Sequence, residues 1–202
     1  MSEGGQSGRA SGGQLEERVD LSVETKEKVT QAQSLIEKSS SNLREALALL
    51  AALEKRCRVG NDTPSLVVVC ETSLQLCKDC SDEEALIATL KNLATRRSQK
   101  SKAVSALVQK AIPWVLQEDG YQPLDVANDE QKAIREKLVV TLRDITDGKI
   151  FLEAERARLT RALAIIKVRT IQHYITQSKD TKKSFLLNFI FMIIIMMVGA
   201  RW

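Results

Sequence analysis

The amino-acid sequence predicts an all-α fold built as a solenoid of antiparallel helical hairpins, with a flexible N-terminal tail and a hydrophobic C-terminal helix. Three observations carry that expectation. Helix breakers are scarce, since the 202 residues include three Pro and nine Gly, and five of those Gly lie before position 14. Hydrophobic residues make up 44%, charged residues 28% and aromatics only 4%, which leaves a body rich in the Leu, Ala, Glu, Lys and Arg that favour helices. Those leucines recur at steps of three and four, the period of a single helix face.

Taken in order, positions 1–20 form a Gly/Ser-rich tail too poor in apolar residues to order itself. Val29, Ala32, Leu35 and Ile36 then give a weakly amphipathic helix over 22–39. Ser41 or Asn42 is placed to cap the next helix, whose face is Leu43, Leu47, Leu50 and Leu53 and which runs to Arg58. Gly60-Asn61-Asp62 is a turn signal. Asp62 or Thr63 caps a third helix with Pro64 in its first turn, striped by Leu66, Val69, Cys70, Leu74 and Cys77. Ser81 with Glu84 reads as a capping box, opening a helix through Leu86, Leu90 and Leu93 that ends near Arg97.

Ser101 opens a helix carried by Val104, Leu107, Val108 and Ile112, and Pro113 is expected to kink it or end it early because it lacks the N–H and clashes with the preceding turn. The segment 118–126, with Gly120 and Pro123, is the longest loop. Asn128 with Gln131 starts a helix through Ile134, Leu138, Leu142 and Ile145, closed by Gly148. The last helix follows, striped by Leu152, Leu159, Leu163 and Ile166. In it Glu153 sits three before Arg156 and Glu155 three before Arg158, spacings that suit helix-face ion pairs. Paired helices with short connections suit a solenoid of loosely similar hairpins over 21–167.

The wording of two stretches, ITDGKIFLEAERARLTRALAIIK and LATRRSQKSKAVSALVQKAI, resembles the PCI-domain family of non-ATPase lid subunits in the proteasome regulatory particle, from roughly Leu43 to Lys167. The resemblance implies a right-handed N-terminal helical solenoid followed by a winged-helix PCI module. It implies a non-catalytic scaffold that contacts other lid and base subunits and supports ubiquitin-dependent degradation in cytoplasm and nucleus. The PCI module would lie beyond the match, so the chain is expected to be an N-terminal fragment or truncated product. The signalosome and the large translation initiation complex use related PCI scaffolds and stand as the alternative.

The net charge of +4 and pI near 8.9 are not gathered into a basic stripe, which argues against nucleic-acid binding. No phosphate-binding, dinucleotide or zinc-protease motif is present, and carboxylates lie among cations on helix faces, so no catalytic, cofactor or metal site is assigned. Cys77 and Cys80 form a CxxC, but Cys57 and Cys70 are far apart in sequence, and a structural zinc site needs two converging pairs. With no apolar N-terminal signal, the four cysteines read as free thiols in a reducing compartment. Candidate partner contacts are Arg96, Arg97, Lys100 and Lys102 at a helix junction, and Glu153, Glu155, Arg156 and Arg158 on the last helix; solvated surface is the plain alternative for both.

Beyond Lys167 the character changes through a linker, 168–184, to a hydrophobic tail, 185–202. Ten of the thirteen residues from Phe185 to Met197 are Phe, Ile or Met. Those residues share A/T-rich codons, which favours translated intron or a shifted frame after Lys167. The rival is a tail anchor, with the chain a tail-anchored membrane adaptor, its membrane segment marked by Phe185, Ile190, Ile194 and Val198. Sixteen residues over 185–200 reach about 24 Å, short of a ~30 Å hydrocarbon core unless flanking Lys182, Lys183 and Arg201 snorkel.

Overall fold

The computed structural model describes residues 19–177. These form seven α-helices: α1 (Ser22–Lys38), α2 (Leu43–Val59), α3 (Thr63–Asp79), α4 (Glu83–Thr95), α5 (Ser101–Ala111), α6 (Asp129–Thr146) and α7 (Glu153–Gln177). No strand occurs among the described residues; a lone antiparallel bridge, Leu116 to Pro123, folds back the long loop. The tail over 1–18 and the hydrophobic segment over 185–202 lie outside the described residues.

α1–α2, α2–α3, α3–α4, α4–α5 and α6–α7 pack on one another, and α1–α3, α3–α5 and α4–α6 also touch, the pattern of stacked hairpins rather than a closed bundle. One hydrophobic cluster runs the whole length, from Leu21 to Ile166. The predicted stripes point into it: Leu50, Leu66, Val69, Leu74, Leu90, Leu107, Leu142, Leu152 and Leu159 are all fully buried. Leu47, Ile112 and Leu163, expected on the same faces, are half-buried at its margin. Transfer of a leucine side chain from water contributes about 2 kcal/mol, so this row of leucines supplies most of the force that stacks the rods.

The caps depart from the sequence reading in three places, twice because the expected side chain has another task and once because the backbone turns away. Asn42 does not cap α2; its Nδ2 donates to Leu35 O at 3.0 Å and so satisfies a carbonyl at the end of α1. Ser39 starts the junction instead, its Oγ accepting from Ser41 N at 3.2 Å ahead of a 3-10 turn over Ser40–Asn42. Asp62 occupies the position before α3, yet its buried carboxylate accepts from Leu21 N at 2.9 Å and ties down the chain entering α1. Before α4, Ser81 adopts a left-handed backbone (φ 54°), and Asp82 rather than Ser81 caps the helix by accepting from Ala85 N at 2.8 Å.

Two breakers act as expected. α5 ends at Ala111, and Pro113 sits in a 3-10 turn over Ile112–Trp114. Gly148, at φ 67°, reverses the chain after α6 in a conformation that costs glycine nothing. The pairs Glu153–Arg156 and Glu155–Arg158 do not form; Arg156 reaches back to Asp147 at 2.5 Å. α7 runs through Lys167 unbroken to Gln177, past the point where the composition changes.

Candidate protein interface

The first candidate region, at the α4–α5 junction, is organised by a residue from elsewhere. Glu54 on α2 is fully buried, between Leu53 and Cys57 in the core face. Its Oε1 pairs with Arg58 Nε at 3.1 Å and accepts from Gln99 Nε2 at 3.2 Å, while its Oε2 lies 3.1 Å from Arg96 Nη1. The Arg96 contact is an ion pair without hydrogen-bond alignment, since neither Glu54 Oε2 nor Arg96 Nε has a hydrogen-bond partner. Gln99 also donates to Leu93 O at 2.8 Å, and Arg58 Nη1 to Arg97 O at 2.9 Å. A buried carboxylate is tolerable only when paired and hydrogen-bonded in this way.

The four cations of that junction therefore do not act as one patch. Arg96 is drawn inward, with 31% of its side chain exposed. Lys100 is half-buried, and its backbone N donates to Gln99 Oε1 at 3.2 Å at the start of α5. Arg97 and Lys102 are exposed. The turn between them holds Ser98 at φ 60°, and Arg58 and Gln99 tie that turn to Glu54. The signal for Glu54 was present in the sequence: it lies four after Leu50 and three before Cys57, on the apolar face.

At the start of α7, a 3-10 turn over Ile150–Leu152 buries Leu152 while leaving Ile150 87% exposed and Phe151 48% exposed. Glu153, Arg156 and Arg158 are exposed and Glu155 is half-buried. Sequence reasoning missed what Arg158 meets. Its guanidinium carbon lies 6.0 Å from the centre of the Tyr121 ring, and that of Arg161 lies 5.4 Å from the same ring.

All four cysteines are free thiols; Cys57, Cys70 and Cys77 are buried and Cys80 is half-buried. Burial pushes the Cys70 thiol up to about 12, with Glu54 adding to the effect, and burial likewise raises Cys57 and Cys77. Such thiols stay protonated near neutrality and are poor nucleophiles and poor ligands. Among the described residues no group of three or more His, Cys, Asp or Glu is placed to hold a metal ion. Among the same residues no helix is long and apolar enough to cross a membrane. Phe185, Ile190, Ile194 and Val198 lie outside them.

The order of helices and the wording of α4 to α7 meet a known pattern: residues 45–183 match the family described as PSMD12/CSN4, N-terminal. The chain belongs to this family. Its match continues past Lys167, where the resemblance was expected to lapse. Among curated relatives of this chain, the 26S proteasome non-ATPase regulatory subunit 12 of Dictyostelium discoideum is 37% identical over 128 residues, covering 63% of this chain and 26% of the relative. The Arabidopsis thaliana homolog A of that subunit is 31% identical over 141 residues, covering 70% and 29%. Regulatory subunit RPN5 of Saccharomyces cerevisiae is 28% identical over 148 residues, covering 73% and 31%. The chain thus spans under a third of the length of these relatives.

Proposed function

We propose that this chain is the N-terminal solenoid segment of a proteasome regulatory-particle lid subunit, working as a non-catalytic scaffold in ubiquitin-dependent protein degradation. The observation that carries the reading is the PSMD12/CSN4 match over 45–183, supported by relatives named as proteasome regulatory subunit 12. The contacts are with other lid and base subunits in cytoplasm and nucleus. Arg97 and Lys102, presented by the junction anchored on Glu54, and Glu153, Arg156 and Arg158 on α7 are the residues that meet them, since Arg is favoured at such interfaces.

The family's description also covers CSN4, so the signalosome is the second reading. Affinity purification of the tagged chain separates the two. Lid subunits recovered in stoichiometric amount support the first, and signalosome subunits recovered in their place overturn it. Arg97→Glu with Lys102→Glu is expected to cut lid recovery while leaving the helical spectrum unchanged.

A further inference from the structure

The cations along α7 divide sharply. Arg156 pairs with Asp147, Lys167 with Glu136 and Arg169 with Asp125. Among the described residues, Arg158 and Arg161 have no carboxylate within ion-pair distance, and both lie against one exposed tyrosine instead. The tyrosine is held there by the loop that the Leu116–Pro123 bridge closes. Gly120 N donates to Gln117 O at 2.8 Å, and Gly120 turns the chain at φ 70°. An ideal Cβ on Gly120 would lie 3.8 Å from Arg158 Cδ, so the arginine stem runs directly over the turn. Arg135 donates to Leu124 O and fixes the loop to α6.

Two guanidinium groups sharing one ring repel each other, and the ring compensates each by only about 0.5–1 kcal/mol at an exposed site. Asp119 lies within electrostatic range of Arg161, but its Oδ1 accepts from Tyr121 N and Gln122 N at 2.9 and 3.1 Å. A contact with the ring satisfies none of the guanidinium N–H groups, so both forks keep donors for a planar acceptor such as a bidentate carboxylate. Leu124, on the same loop, is also exposed.

We propose that Tyr121, Arg158 and Arg161 form a docking site for an acidic segment of a partner protein, one presenting two neighbouring carboxylates to the two guanidinium edges. This rests on the reading of the chain as a protein-binding subunit. Nucleic acid fits less well, because a phosphate backbone calls for a run of free cations, and the other α7 cations are already neutralised.

The test is fluorescence polarisation of the full chain with a labelled hexaglutamate peptide at low salt. Saturable binding is expected, weakened about tenfold or more by Arg158→Ala with Arg161→Ala and about threefold by Tyr121→Leu. All three positions are exposed, and circular dichroism of each variant checks that the fold is kept. No binding by the wild-type chain, or equal binding by the double variant, overturns the site. Equal or tighter, arginine-dependent binding of hexauridylate or inorganic phosphate overturns it in favour of a phosphate site. Lid recovery measured in parallel keeps the two readings apart: recovery with no peptide binding sinks this site alone, whereas peptide binding without recovery sinks the lid assignment alone.

Discussion

Glu54 Oε2 lies 3.1 Å from Arg96 Nη1, joining the middle of the solenoid's second helix to the end of its fourth. The carboxylate is wholly buried while the guanidinium keeps contact with water. Such an arrangement is costly to form and more costly to break from one side, since the survivor is then left without its counter-charge. It ties the junction carrying Arg97 to α2 by directional contacts, where the leucine stripes around it pack without direction.

Glu54→Gln keeps the shape and removes the charge. The expected loss is about 3 kcal/mol, the lower end for a broken buried pair, because Arg96 can rehydrate. Urea unfolding measures it. A loss under about 1 kcal/mol, the scale of a surface pair, would show that the anchor is not what holds the junction.

Leu159 is fully buried under α6 and its neighbours. Leu159→Asp places an unpaired carboxylate in that core, at an expected cost of at least about 3 kcal/mol. A melting temperature close to that of the wild-type protein would contradict the placement of this face.

Gly148 has φ 67°, and a Cβ there would meet nothing within 4 Å. The cost of Gly148→Ala is therefore purely conformational, about 1–2 kcal/mol, and Gly148→Asn is expected to cost less because Asn tolerates the left-handed region. Equal stability of all three proteins in thermal melts would place the turn in another conformation.

The cysteines predict a pH response. Cys70 is raised from about 9 to about 12 by burial, so above pH 9 the unfolded chain loses this proton while the folded chain keeps it. The folded state then binds more protons, and the stability it draws from this group is full below pH 9 and lost as pH rises towards 12. Stability of the wild-type protein is expected to fall more steeply between pH 9 and 10.5 than that of Cys70→Ala. At pH 8, Ellman's reagent is expected to react first with half-buried Cys80 and with the other three thiols only on unfolding. Prompt reaction of all four in the native state would contradict their burial.

Much of the helical framework was legible because its causes are local. A proline past the first turn, such as Pro113, ends or kinks a helix for local reasons, and a leucine every third or fourth residue needs no knowledge of the fold to define a face. The caps were less legible. Asn42 and Asp62 are each competent to cap, and only the proximity of Leu35 O or Leu21 N decides which partner each side chain takes, while a left-handed backbone at Ser81 passes its cap to Asp82. The candidate contacts were the least legible. Arg96, Arg97, Lys100 and Lys102 are equivalent as a string, and a buried glutamate from a distant helix makes them unequal.

By itself the sequence determined the helical class, the stripes that become the core and the family to which the chain belongs. Those properties follow from side-chain spacing within one helix and from wording that survives in relatives. Only the tertiary structure decided which charges are spent inside the fold and which stay exposed without a carboxylate partner among the described residues. Pairing Glu54 with Arg96, or leaving Arg158 and Arg161 on Tyr121, depends on groups brought within a few ångströms by packing, and Coulomb attraction at that range is invisible along the chain.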